Sequence, residues 1–286
     1  MLTWYWMGGQ SVLNFGEHFV ELLLPRLGCQ PRSFDVAMAA GEIRPGEPCL
    51  LMIGSEFHHG LVDGLACSGC HVHVWGQGNG RGADRAVDMR LPKYRDNVTI
   101  HALRGPLTKR ISHFDGDVPL LDPGFLMPAF YPSWHLVAEE SEVLYLPHHA
   151  NFAKVSKETA KRIGATDCLN VMLHRDEVLD FMARVASAQF VLANTLHGLI
   201  FCLAYCVPCA LCLTEGEELN MPDKWRDVFE SLGRDPATPL PIVHNLDEGE
   251  RWWETEGRSL VIPDSGPLLR AFPFSTHTPS GEMCEP

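Results

Sequence analysis

Asn194-Thr-Leu-His-Gly-Leu-Ile200 is the stretch whose reading decides the fold. Before it, Ser187-Ala-Gln-Phe-Val-Leu-Ala193 reads as a buried strand; after it, Phe201-Cys-Leu-Ala-Tyr-Cys206 reads as an apolar helix. His197 and Gly198 therefore fall where a strand ends and a helix begins. In an open α/β sheet, ligands bind outside such carboxyl ends, and a helix start presents free backbone N–H groups to an anion. A histidine placed there can exchange a proton near neutral pH. A turn residue packed against the next helix is the other reading of the same stretch.

Outward from this junction the alternation continues. Toward the C-terminus Ala210–Leu213 reads as a strand and Trp225–Leu232 as a helix. Toward the N-terminus the order is a helix at Asp176–Ala186, a strand at Leu169–Leu173, a helix at Val155–Ile163 and a strand at Val143–Leu146. Asp122-Pro-Gly, with the Pro- and aromatic-rich Met127–Trp134, reads as a linker. Before it, Leu2–Met7 is a strand, and Asn14-Phe-Gly-Glu-His opens a helix to about Leu27 with Phe19, Val20, Leu23 and Leu24 on one face. Apolar runs at Phe34–Met38, Cys49–Ile53, Val72–Trp75 and Val98–Ala102 read as strands, and Gly-Pro starts a helix over Leu107–Ser112. No internal repeat of fixed period is visible.

Such alternation implies parallel sheets covered by helices. Two runs of it separated by a Pro-rich segment imply an α/β protein of two Rossmann-like domains facing across a cleft, at 1–130 and 140–245. A C-terminal segment, 246–286, follows. Its stretch Trp252–Phe274 is expected to fold back on the first domain, and the polar tail after Phe274 reads as disordered.

Composition narrows the function. Hydrophobic residues make up 45% and charged residues 21% of 286, as in an ordinary globular protein. A net charge of −13 argues against a nucleic-acid partner, which would need a basic footprint. No apolar run reaches the roughly 18 residues of a membrane span, so no stable membrane insertion is expected. The start, Met-Leu-Thr-Trp-Tyr-Trp, lacks the basic opening of a signal peptide. Ten cysteines in that setting read as reduced thiols in the cytoplasm.

Several motifs are weighed and set aside. Cys202-x3-Cys206-x2-Cys209 has the spacing of an iron–sulfur loop, but it continues an apolar helix into Val-Pro and too little chain follows. Cys67-Ser-Gly-Cys70 has no second half for a zinc site. His71 and His73 share a strand face, which permits a metal pair, though a strand edge explains them as well. Gly76-Gln-Gly-Asn-Gly-Arg-Gly82 follows a strand but fails the dinucleotide spacing, with Arg at 81; it is expected to shape a site wall. No metal site is expected.

Two further stretches carry chemistry. Arg104, in Thr99-Ile-His-Ala-Leu-Arg-Gly-Pro106, ends an apolar strand and offers a fork of donors to a carboxylate or phosphate; a structural salt bridge is the alternative. Leu144-Tyr-Leu-Pro-His-His149 puts His148 and His149 at the end of the second domain's first strand. Lys154, Lys157, Lys161 and Arg162 follow, as a solvated face or, near a cleft, as an attraction for an anionic substrate.

Taken in order, these elements resemble the polysaccharide pyruvyl transferase family. Asn14-Phe-Gly-Glu17 is similar to the family's Asn-Phe-Gly-Asp, with Glu17 as a longer carboxylate in the same place. Leu51-Met-Ile-Gly-Ser55, Val74-Trp-Gly-Gln-Gly78, Leu103-Arg-Gly-Pro106, Asp122-Pro-Gly124 and Leu146-Pro-His148 follow. Thr195-Leu-His-Gly-Leu-Ile200 resembles the family's Ser-Leu-His-Gly core, and Lys224-Trp-Arg-Asp-Val-Phe-Glu-Ser231 a segment near its end. Thr195 stands where some relatives carry Arg, so one anion contact is absent or comes from elsewhere.

The resemblance implies a GT-B-like arrangement, with the first domain on the acceptor side and the second on the donor side. It implies transfer of pyruvate from phosphoenolpyruvate to a sugar of a polysaccharide or its lipid-linked precursor, giving a ketal, with no cofactor. His197, His148 and Glu17 are then the catalytic candidates, with Asp122 a further proton acceptor. Arg104, Asn14, Gly16, Ser55, His149, Gly198 and Thr195 are the substrate-binding candidates. The protein is expected in the cytoplasm, reaching the inner membrane surface only through a lipid-linked glycan acceptor. A glycosyltransferase using a nucleotide sugar, and a non-catalytic glycan-binding relative, are the competing classes.

Overall fold

The computed structural model describes residues 2–5, 12–132, 142–155 and 157–274. In chain order the first half contains β1 (Leu2–Thr3), β2 (Val12–Asn14), α1 (Phe15–Arg26), β3 (Arg32–Ser33), α2 (Phe34–Ala39), β4 (Pro48–Leu51), α3 (His59–Cys67), β5 (His71–Trp75), α4 (Pro92–Arg95), β6 (Val98–Ala102), α5 (Pro106–Ile111) and α6 (Met127–Phe130). The second half contains β7 (Val143–Leu146), α7 (Lys157–Arg162), β8 (Asp167–Cys168), β9 (Met172–His174), α8 (Val178–Ala186), β10 (Phe190–Ala193), α9 (Leu196–Ala204), β11 (Cys209–Cys212), α10 (Pro222–Ser231), β12 (Ile242–Val243), α11 (Leu246–Thr255) and α12 (Gly266–Arg270). No described helix is long and apolar enough to cross a membrane.

The fold is α/β, built on two five-stranded sheets. One has the order β3-β1-β4-β5-β6 and the other β12-β11-β10-β7-β8, and every pairing within them is parallel. Counted by succession within its own sheet, each order is 2-1-3-4-5, so the chain winds the same sheet twice. The direction of winding reverses between β1 and β4 in the first sheet and between β7 and β10 in the second. Ligands bind in the crevice at such reversals.

The inner strands are buried on both faces and so are apolar without alternation; β7, β10 and β11 are buried throughout. The helices covering them carry one apolar stripe. In α8 it is Val178, Phe181, Met182 and Val185, at the spacing of adjacent helical turns.

Each half lends a helix to the other. Asn14 caps α1, its Oδ1 accepting from the Gly16 amide at 3.1 Å. α1 then buries Phe15 against the second half, with ring centroids 4.7 Å from Phe181 and 5.5 Å from Phe201. β2 and β9 pair antiparallel alongside, Leu13 opposite Leu173. In the reverse direction α10 packs on α5. Fully buried Asp227 accepts from the Thr108 amide (2.9 Å), Thr108 Oγ1 (2.6 Å) and Arg104 Nε (3.1 Å). Gly105 makes this approach possible, since a Cβ there would lie 2.1 Å from the Asp227 carbonyl oxygen. The C-terminal segment also returns to the first sheet: Trp75 Nε1 donates to the Leu268 carbonyl at 2.9 Å, and Phe272 stacks edge-on to Trp75 at 4.9 Å.

Several local expectations are corrected. Phe34–Met38, read as a strand, is helix α2: Phe34 and Ala37 are buried while Val36 and Met38 are exposed, the spacing of a helical stripe. Of the expected strand Leu169–Leu173 only Met172 and Leu173 are strand, in β9 of the antiparallel ribbon; β8, in the second sheet, ends before it. The expected helix Val155–Ile163 is present but shorter, as α7, with a 3₁₀ turn at Phe152–Lys154 ahead of it. A 3₁₀ turn at Pro123–Leu126 and α6 occupy the start of the expected linker. The end of that linker, Ser133 and Trp134, lies outside the described residues, as do Trp6 and Met7 of the first expected strand and the tail from 275. The described cysteines are free thiols, with Cys202 and Cys209 buried and Cys206 exposed. No group of three or more metal-type ligands occurs among the described residues.

Candidate active site

A cavity of about 340 Å³ opens where the two sheets' carboxyl ends meet. Its walls come from both halves. Gly54, Ser55 and Glu56 follow β4; His148 and His149 follow β7; Thr195, Leu196 and His197 follow β10. The start of α1 adds Asn14 and Glu17, the glycine-rich loop adds Arg81, and the start of α10 adds Asn220, Met221 and Lys224. The histidines and Thr195 thus come from the two strands that flank the second sheet's reversal point.

His197 sits in the first turn of α9, its side chain 10% exposed. Its Nε2 is buried and lies 3.6 Å from Asp122 Oδ2, longer than a hydrogen bond, and neither atom has a hydrogen-bond partner among the described residues. The other carboxylate oxygen, Oδ1, accepts from the Gly124 amide at 2.8 Å, which fixes the acid. The opposite edge of the ring carries Nδ1 and lies against Gly16, where a Cβ would come within 2.0 Å of Nδ1. Phe19 meets the ring edge-on at 5.8 Å. Glycine in Asn14-Phe-Gly-Glu17 is therefore a matter of room for the imidazole.

His148 and His149 stack at 4.2 Å. His148 Nε2 lies 3.0 Å from Asn220 Nδ2, and His149 Nδ1 lies 3.4 Å from Asn14 Nδ2. Burial, then the neighbouring His149 and Lys224, hold His148 down at about 4. Burial and Lys224 lower His149 as well. Near pH 7 His148 is therefore neutral, an acceptor of protons and not a donor of charge.

Arg104 lies outside the cavity lining and is fully buried. Its Nε donates to Asp227, its Nη1 to Ser55 Oγ (2.6 Å) and the Gly54 carbonyl (3.1 Å), and its Nη2 to the Asn79 carbonyl (3.2 Å). The fork expected to meet an anion is thus committed to protein, beneath Ser55. The glycine-rich loop wraps it: a Cβ on Gly78 would lie 2.1 Å from its Cζ. Gly198 is likewise under the wall, where a Cβ would lie 2.6 Å from Thr195 Cγ2 and 2.9 Å from Leu146 Cδ1. Thr195 lines the cavity at the N-cap of α9 without a side-chain cap bond. None of Lys154, Lys157, Lys161 and Arg162 reaches the cavity.

Lys224, Arg81 and Glu56 line the cavity and had not been singled out. Arg81 is bidentate with Glu56 (2.9 and 3.0 Å), which also meets His58 at 2.7 Å. The signal for Lys224 was its place in the first turn of a helix after an apolar strand and a loop.

Two parallel α/β sheets of one winding order gather imidazoles and carboxylates at their carboxyl ends in one cavity. The polysaccharide pyruvyl transferase family matches residues 68–215, and the chain belongs to that family. It is also 25% identical over 217 residues to the "Succinoglycan biosynthesis protein ExoV" of Rhizobium meliloti (strain 1021), a match covering 74% of this chain and 63% of that relative. The match thus spans less than two thirds of the relative's length.

Proposed function

We propose that this cavity transfers pyruvate from phosphoenolpyruvate to two hydroxyls of a sugar in a polysaccharide or its lipid-linked precursor, forming a ketal. The two sheets would be the halves of a GT-B-like enzyme, the first on the acceptor side and the second on the donor side. The observation that carries this reading is the convergence of His197, His148 and His149, from the second sheet's reversal point, with Glu17 of α1 in one cavity.

In this scheme a proton adds to the donor's methylene carbon, making a methyl group and a cationic centre at the adjacent carbon. One sugar hydroxyl attacks that carbon, the bond to the phosphate oxygen breaks, and the second hydroxyl closes the ketal. Of the two hydroxyl protons released, one balances the proton gained by carbon and the other leaves on phosphate. His197 is the proton donor. His148, neutral near pH 7, and Glu17 are placed to take protons from hydroxyls. A lipid-linked acceptor would bring the enzyme to the cytoplasmic face of the membrane.

The test is phosphate release from phosphoenolpyruvate with a panel of lipid-linked and synthetic glycosides. His197→Gln keeps a hydrogen-bonding side chain but delivers no proton, so turnover should fall roughly 10²–10⁴-fold while donor binding survives. Wild-type turnover in His197→Gln would move the acid elsewhere. Turnover of a nucleotide sugar in place of phosphoenolpyruvate would favour a glycosyltransferase.

A further inference from the structure

A row of imidazoles lies on β5 and β6, away from the cavity, and the C-terminal segment covers it. Along β5, His71, His73 and Trp75 alternate onto one face, with buried Val72 and Val74 on the other. Trp75 seats the segment through its hydrogen bond to Leu268 and its contact with Phe272. Phe274 then meets the His73 ring edge-on at 4.9 Å. Beneath it His73 Nδ1 lies 3.0 Å from His101 Nε2 on β6, and His71 Nε2 lies 2.8 Å from Thr99 Oγ1. The His73 and His101 rings are 13° from parallel, with centroids 5.3 Å apart. That separation is the nitrogen gap plus the near half of each ring, so the two rings meet edge to edge along one N–H···N bond.

We propose that the His73–His101 pair is a proton-operated latch for the C-terminal segment, closed while the two rings share a hydrogen bond and opened when both are charged. A neutral imidazole has one donor and one acceptor nitrogen, and a charged one has two donors. One added proton therefore leaves a nitrogen of the pair able to accept. A second makes both facing nitrogens donors, and two cations then stand across 3.0 Å. Nothing around them compensates. The titratable neighbour on β5 is His71; β4 brings Pro48 and Leu50 alongside, and the segment brings Phe272 and Phe274. No carboxylate is among the groups acting on either ring. Burial, then His101 and His71, holds His73 down at about 4, and burial with His71 lowers His101. Uncovered rings bind protons more readily than covered ones, so the closed state loses ground as pH falls below the ordinary 6.5. When the segment lifts, Trp75 loses both its cover and its hydrogen-bond acceptor. Trp75 directly precedes the glycine-rich loop that encloses Arg104 and carries Arg81 to the cavity, so the latch sits at the root of one cavity wall.

The experiment is hydrogen–deuterium exchange of the full chain between pH 7 and pH 5, corrected for intrinsic exchange and read over residues 265–274. The reporting amides are those of Leu269, Ala271 and Phe272, which donate to the carbonyls of Ser265, Pro267 and Leu269. For His73 alone, at 6.5 in water against about 4 when covered, protection should fall about 20-fold across that range. The peptide holding β10 should keep its protection. In His73→Gln/His101→Gln two amides can still bond to each other but gain no proton, so the fall should vanish. His73→Phe, which keeps a ring under Phe274, should flatten it too and guards against a folding defect in the double variant. A flat wild-type profile, an undiminished fall in both variants, or loss of protection in β10 at the same pace overturns the inference.

Discussion

Gly16→Ala separates the stability of this fold from the placement of its central histidine. The new methyl carbon would stand 2.0 Å from His197 Nδ1, 2.5 Å from Cγ and 2.8 Å from Cε1. Ordinary contact is about 3.5 Å, so the imidazole must retreat by about 1.5 Å or the first turn of α1 must lift. Overpacking of this kind costs about 1–3 kcal/mol. Against it, alanine in a helix gains roughly 0.5–1 kcal/mol over glycine. The net loss is then about 2 kcal/mol or less, a shift of a few degrees in melting temperature for a chain of this size. Turnover should suffer far more, since a displacement of about 1 Å in a reacting group costs around 100-fold. Thermal melts run beside a phosphate-release assay read both quantities on one preparation. Full turnover in Gly16→Ala would refute the claim that His197, as placed against α1, takes part in the reaction.

Three further outcomes are expected. Arg104→Met strands the buried Asp227 carboxylate and should lose about 3–5 kcal/mol in denaturant titrations, with Arg104→Met/Asp227→Asn recovering part of that loss. His148 and His73 are each held down to about 4, chiefly by burial. The unfolded chain therefore binds protons before the native one does, and stability present above pH 6.5 should drain away as pH falls toward 4. Partial exposure limits each contribution to about 1–2 kcal/mol, and His148→Gln should flatten the slope of denaturation midpoint against pH. Leu268→Ala, removing a fully buried side chain where the C-terminal segment meets the first sheet, should cost about 2–5 kcal/mol by the same titration.

The parts of the fold legible in sequence were those where local pattern and burial agree. β10, α9 and the histidine between them could be read because a strand buried on both faces is a plain apolar run and the turn after it is not. Phe34–Ala39 could not, because Phe-Asp-Val-Ala-Met alternates like a strand while its buried face, Phe34 and Ala37, follows helical spacing. β9 was placed with its neighbours in sequence, whereas its partner is β2, more than a hundred residues away. The common winding order of the two sheets leaves no repeat in the sequence, since each copy is specified by burial alone. At the site, chain order exposed the groups on strand ends. It could not show that Arg104 is enclosed by Gly78, Ser55 and Asp227, nor that Lys224 lines the cavity; both depend on how α10 crosses to the other half.

The reciprocal loan of helices makes the two halves obligate company during folding. Without the second sheet, α1 presents Phe15 and Phe19 to water; without the first, α10 presents a naked Asp227 and the buried face of Trp225 and Phe229. Because the last of these contacts brings α10 to the cavity, the cavity's wall stays incomplete until α10 has been made. The slow closure of such distant contacts then becomes the step at which a translated chain turns into a working site.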